Sequence, residues 1–170
     1  KNDAVWSYEC LARLLHPEQN SYLPTELLFL VARQQSVTAL TQTIFCRSAS
    51  YFRDINMAWN INLSLGDMAD SGTFTFLQSQ LENYPNPQRI SVEITAQNAL
   101  AEQATLAHFC DLCDALKINV VIDNFDQQAC DVQALLALPI SAIKVSAKLF
   151  DKVAHDINTE KFVKEMLRTA

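Results

Sequence analysis

A chain of 170 residues is one domain or part of one, long enough to bury a real core. A net charge of −6, with no Lys/Arg cluster to oppose it, excludes a nucleic-acid polymer as partner, because that surface needs a basic stripe. No apolar stretch approaches the ~18 residues that span a bilayer and nothing at the start resembles a signal peptide, so the segment is expected to lie in the cytoplasm without membrane contact.

No methionine opens the chain, which reads as an internal piece of a longer protein, compatible with the cytosolic part of a membrane-tethered one. Val5–Leu11 is strand-like. Leu23-Pro24-Thr25-Glu26 opens a helix with proline near its first turn, and Leu27, Leu28, Val31 and Ala32 give that helix an apolar face. A second helix runs from Val37 to Phe52 with Leu40, Ile44, Ala49 and Phe52 inward. Ala58–Leu63 is the next strand. Ser71 or Thr73 can cap a helix through about Asn83, and Tyr84-Pro85-Asn86-Pro87 stops it.

Ile90–Thr95 is the third strand. A long helix follows from about Ala99 to Leu116, with Leu100, Leu106, Phe109, Cys110 and Cys113 inward. Asn119–Asp123 is a near-continuous apolar strand, as parallel sheets buried on both faces require. Val132–Leu138 is a short helix ended by Pro139, and Ile140–Val145 is the fifth strand. Thr159 is placed to cap a last helix, with Glu160 in its first turn and Arg168 in its last. Strands alternating with helices predict an α/β fold of parallel βα units. Five strands do not close an eight-stranded barrel, so a (β/α) barrel here is incomplete, with about five βα units.

Each strand carries a polar side chain: Glu9, Asn62, Glu93, Asp123 and Lys144. In a βα barrel, side chains at the C-terminal strand ends converge on one mouth. Three carboxylates, an amide and an ammonium there would form a hard-cation site beside an anion site. Bland alternatives stand beside this reading. Glu9 can be a surface residue at a strand edge, Asn62 a turn cap, and Asp123 a loop starter. Glu93 alternates with Val92 and Ile94 and can face outward. Arg13 can pair with Glu18 or Glu26.

Other features carry no chemistry. Gly66 and Gly72 are the only glycines, which removes glycine-rich phosphate loops and dinucleotide folds. The five cysteines, including Cys110-Asp-Leu-Cys113 in mid-helix, read as structural thiols of a reduced protein. His16, His108 and His155 share no ligand spacing. Trp6, Trp59, Phe74, Phe76 and Phe109 are best read as core.

Tyr8-Glu9-Cys10-Leu11-Ala12-Arg13 resembles the Glu-Ala-Leu-Leu-Arg signature of the EAL family of cyclic di-GMP phosphodiesterase domains, and Leu23-Pro24 resembles the proline before that family's first helix. Asn60-Ile61-Asn62-Leu63-Ser64 is similar to its Val-Asn-Leu-Ser stretch, and Ser91-Val92-Glu93-Ile94-Thr95 to Glu-x-Thr-Glu. Val121-Ile122-Asp123-Asn124-Phe125 resembles Ile-Asp-Asp-Phe-Gly, and Pro139 through Lys144 resembles Leu-Pro-x-x-x-x-Lys-x-Asp. The order and spacing run through nearly the whole chain.

The resemblance implies a TIM-like barrel of the EAL type, of which residues 1–170 form a partial domain. It implies Mg²⁺ or Mn²⁺ on Glu9, Asn62, Glu93 and Asp123. It also implies Glu9 and Lys144 as catalytic groups, with the lysine near the attacking water, and Arg13 on a phosphate of the dinucleotide. Two metals would neutralise developing charge and make hydroxide at neutral pH.

Departures from the pattern predict a weakened centre. The second aspartate of the Asp-Asp pair is Asn124, and the aspartate two after the lysine is Ser146. The closing glutamate of Glu-x-Thr-Glu is Ala96, and the loop Phe125-Asp126-Gln127-Gln128-Ala129 has lost both glycines. The expectation is therefore a degenerate EAL domain, non-catalytic or weakly active, with Mg²⁺ or Mn²⁺ either held weakly or not bound. It would serve as a cyclic di-GMP signalling or protein-interaction module alongside the other domains of a bacterial regulator, and could homodimerise. The alternative is a slow Mg/Mn-dependent cyclic di-GMP-specific phosphodiesterase.

Overall fold

The computed structural model describes residues 5–13, 26, 27, 29, 31, 37–126 and 132–169. Five strands form one all-parallel sheet in sequential order: β1 (Ser7–Cys10), β2 (Ala58–Asn62), β3 (Ile90–Thr95), β4 (Asn119–Phe125) and β5 (Ala142–Val145). Helices α1 (Val37–Phe52), α2 (Leu65–Ala69) and α3 (Ser71–Leu81) flank β2. Helices α4 (Ala96–Ala101) and α5 (Gln103–Ala115) join β3 to β4, α6 (Val132–Leu136) precedes β5, and α7 (Ala147–Val153) and α8 (Ile157–Thr169) follow it. Each strand pairs with its neighbour in sequence, which is what a βα-barrel wall requires.

The register separates two faces. Glu9 pairs with Asn60, Asn62 with Glu93, and Thr95 with Asp123, so these residues share one face. The opposite face carries Trp59, Ile61, Ile90, Val92, Ile94, Val120 and Ile122, all buried beneath the helices. Their burial is the main stabilising term, at about 25 cal/mol per Å² of apolar surface removed from water. Trp59 anchors it: Phe52 stacks on the indole with centroids 5.9 Å apart, Phe45 tilts against it at 5.5 Å, and its Nε1 donates to the Tyr84 hydroxyl at 3.3 Å. At the far end Phe125 stacks on Phe162 of α8 at 6.3 Å.

Helix α1 keeps its predicted bounds, but its inward stripe is Thr41, Phe45, Ser48, Ala49 and Phe52; Leu40 and Ile44 are only half-buried. Helix α5 buries Leu106, Phe109, Cys110 and Cys113, as its spacing predicts. The single helix expected from Ala99 is two. Thr95 caps α4 through Asn98 N–H, and the chain breaks at Glu102, whose backbone leaves the helical region without glycine or proline to signal it.

The two expected caps move as well. Asp70, not Ser71 or Thr73, caps α3 by accepting from the N–H groups of Gly72 and Thr73 at 3.2 and 3.0 Å. Asp156, not Thr159, accepts from the N–H groups of Asn158 and Thr159 at the start of α8. In both places a carboxylate just upstream reaches the first-turn donors. Trp6 is not core: it is 85 % exposed, while Phe74 is half-buried. The helix opened by Leu23-Pro24 lies mostly outside the described residues, although Leu27 is helical and buried. Gln127, Gln128, Ala129, Cys130 and His16 also lie outside them.

Candidate functional site

The polar face of the sheet holds the candidate site. Glu93, in the middle of β3, is 1 % exposed; the outward orientation that its alternation allowed is not adopted. Its Oε1 accepts from two donors, the ammonium of Lys144 on β5 and the Nδ2 of Asn60 on β2. Lys144 keeps its side chain 44 % exposed at the mouth and reaches inward to the buried carboxylate. Burial pushes the Glu93 carboxyl above the ordinary glutamate range. The Lys144 hydrogen bond and charge pull it back, while the charges of Glu9 and Asp123 add to the upward push. The charges of Lys144, Glu9 and Asp123 therefore all bear on Glu93.

Beside them, Asn62 Nδ2 donates to Glu9 Oε1 at 2.9 Å. Glu9 is exposed on the edge strand β1, and this amide is its hydrogen-bond partner. Arg13 is exposed and donates to the Ala12 carbonyl at 2.8 Å. Arg13 and Asn62 meet at a largely apolar cavity of about 490 Å³, whose other walls include Leu40, Ile44, Ser64 and Asp67. Ser64 and Asp67 form a capping box at the start of α2, which fixes the backbone directly after Asn62.

The two positions that depart from the family pattern have structural roles. Ile122 pairs with Ile143 and Phe125 with Val145, so Asp123 and Asn124 together oppose Lys144: a β-bulge of two residues against one. Asn124 adopts φ 54°, the left-handed region where asparagine is among the best-tolerated non-glycine residues. The exposed amide thus sits at a strand bulge. Ser146 is a helix cap: it is buried and accepts from Leu149 N–H at 3.1 Å to open α7. Ala96 is buried in the first turn of α4.

Sequence reasoning missed Asn60. Its position two residues before Asn62 places both on the same face, and that period-2 spacing is the signal that could have found it.

The oxygens of Glu9, Asn62, Glu93 and Asp123 are the donor type that Mg²⁺ or Mn²⁺ takes. Glu93 Oε2 is buried and has no hydrogen-bond partner, so one acceptor is left for a cation. Among the described residues, however, no three His, Cys, Asp or Glu side chains are gathered closely enough to hold one ion. The set fits in donor chemistry and is loosely spaced.

Polar groups presented near the strand ends of a sequential parallel sheet make this face the candidate site of an incomplete βα barrel. The chain belongs to the EAL domain family, whose sequence profile matches residues 1–170. MucR of Pseudomonas aeruginosa strain PAO1, a bifunctional diguanylate cyclase/cyclic di-GMP phosphodiesterase, is 24 % identical over 162 residues, which cover 91 % of this chain and 24 % of MucR. The chain thus spans about a quarter of that relative's length.

The structure of the MucR phosphodiesterase in its cyclic di-GMP complex superposes with a TM-score of 0.82 at 19 % identity, over 95 % of this chain and 68 % of that one. The FimX EAL domain of Pseudomonas aeruginosa, bound to cyclic di-GMP, gives 0.84 at 18 % identity over 95 % and 67 %. FimX of Xanthomonas citri in the same kind of complex gives 0.81 at 13 %, over 95 % and 66 %. Likeness at these identities establishes the fold. Among the described residues no helix is long and apolar enough to cross a membrane.

Proposed function

We propose that this chain is a partial, degenerate EAL domain that binds cyclic di-GMP and hydrolyses it slowly or not at all, serving as a signalling and protein-interaction module beside the other domains of a larger cytoplasmic regulator. The observation that carries this reading is the bulge opposite Lys144. Asp123 retains its carboxylate, but Asn124 supplies a neutral amide where the family pattern has a second acid. An amide cannot neutralise a second cation, and Ser146 adds no charge beside it.

In this reading Arg13 binds a phosphate of the dinucleotide at the edge of the apolar cavity, and the cavity walls take the base. Glu9, Asn62, Glu93 and Asp123 would hold a divalent cation, which when bound would supply charge neutralisation and a nucleophilic water. Lys144 would sit beside that water while restraining Glu93. Association into a homodimer belongs to the same proposal.

A second reading, the Mg/Mn-dependent phosphodiesterase, is favoured by the unpartnered Glu93 Oε2, an acceptor available to a metal. One experiment separates them. Cyclic di-GMP binding and Mn²⁺-dependent conversion to the linear dinucleotide are measured on the full-length protein. Submicromolar binding with turnover at least ~10²-fold below a family member carrying the full acidic set is expected, a loss of the size that follows removal of a group stabilising transition-state charge. Turnover within tenfold of such a member selects the second reading, and absence of cyclic di-GMP binding refutes both.

A further inference from the structure

Asn60 lies two residues before the strand-end amide, on the same face of β2, and is 3 % exposed. Its Nδ2 donates to Glu93 Oε1, the oxygen that Lys144 also reaches. Its own Oδ1 is buried without a hydrogen-bond partner, as is Glu93 Oε2. The buried Oδ1 without a donor costs stability and so offsets what the Nδ2 donation to Glu93 contributes, leaving the fold little net gain over an apolar side chain of the same shape. The amide is therefore poorly explained as a packing residue.

Its effect on Glu93 is specific. A carboxylate oxygen has two in-plane lone pairs, and Asn60 and Lys144 together engage Oε1. The carboxylate is thereby held in one orientation, with Oε2 as its remaining acceptor. Lys144 rides on an exposed side chain that can swing away, whereas Asn60 is fixed inside the wall.

We propose that Asn60 is a positioning residue for the cation centre: its buried amide clamps Glu93 so that Oε2 is presented to a divalent metal whether or not Lys144 is in place. The inference rests on the reading of the mouth as a cation site. Partners that orient a ligating carboxylate typically contribute tenfold to a hundredfold in metal affinity.

The test is calorimetric titration of the full-length protein with Mn²⁺ alone, for the natural sequence, Glu93→Gln and Asn60→Leu, with thermal unfolding of each in metal-free buffer. The leucine is nearly isosteric and removes the unsatisfied acceptor together with the donor. Asn60→Val provides the same contrast if leucine does not fit. The expected result is loss of Mn²⁺ binding in Glu93→Gln and at least tenfold weaker binding in Asn60→Leu, with a metal-free melting temperature no lower than that of the natural protein. Mn²⁺ affinity within threefold of the natural protein overturns the clamp. So does a parallel fall of affinity and melting temperature, which would make Asn60 a structural residue. No Mn²⁺ binding by the natural protein overturns the cation site itself and the clamp with it.

Discussion

Replacing Lys144 with methionine should destabilise the protein in a pH-dependent way. The substitution keeps the aliphatic stem and removes the countercharge of a carboxylate that is 1 % exposed. Breaking a fully buried ion pair from one side costs about 3–5 kcal/mol. Here the ammonium partner is 44 % exposed, so water already screens part of the attraction, and Asn60 still donates to Glu93 Oε1. About 2 kcal/mol is the resulting expectation, or roughly 4–8 °C in Tm for a domain of this size.

The pH dependence fixes the cause. Glu93 already has a raised folded-state pKa, and losing Lys144 removes the two influences that lower it. A carboxyl raised in the folded state favours folding when protonated and loses that contribution as pH rises through its folded pKa. The gap between the natural protein and Lys144→Met should therefore be widest at pH 8 and close as pH falls through the window just above the ordinary glutamate range. Thermal unfolding of the full-length protein at pH 8 and pH 5 measures it. An equal loss at both pH values, or none at pH 8, would refute the argument that a buried, ionised Glu93 depends on Lys144.

Asn124→Asp combined with Ser146→Asp should tighten Mn²⁺ binding, since both additions bring carboxylates to the mouth and aspartate can cap α7 as Ser146 does; unchanged calorimetric affinity would show that the bulge does not face a latent second cation. Asp70→Ala should cost about 1 kcal/mol by removing the N-cap of α3, read by denaturant unfolding; a neutral result would mean that Thr73 or solvent replaces the cap. Burial holds the Cys110 thiol up at about 11 and drives Cys113 higher still, so neither should react with a thiol reagent at pH 8 in the native protein, whereas exposed Cys46 should. Mass spectrometry of the alkylated chain locates the modified residues.

The strands were legible because their apolar face is nearly continuous: Ile90, Val92 and Ile94, then Val120 and Ile122, could hardly belong elsewhere. Their order also placed Glu93, Asp123 and Lys144 toward one mouth. What the sequence concealed depends on groups competing for the same role. Asp70 and Asp156 each lie just upstream of a hydroxyl residue that could also cap, and only backbone geometry selects the carboxylate. The helix break at Glu102 has no residue-level signal. Trp6 looks like core by composition, but its place beside the edge strand β1 leaves it in solvent. Asn60 stayed hidden because an amide in a strand attracts attention only once the buried acid it serves is located.

The bulge at Asp123–Asn124 has an implication for how this protein can vary. Strands elsewhere in the sheet alternate strictly, so losing one residue would turn every later side chain to the wrong side. Between Ile122 and Phe125 the count is already one too many, and deleting Asn124 would restore simple alternation with Phe125 still stacked against Phe162. Length in this strand is thus negotiable at the bulge opposite Lys144, and insertion or loss there changes what the mouth displays while the wall behind it stays as it was.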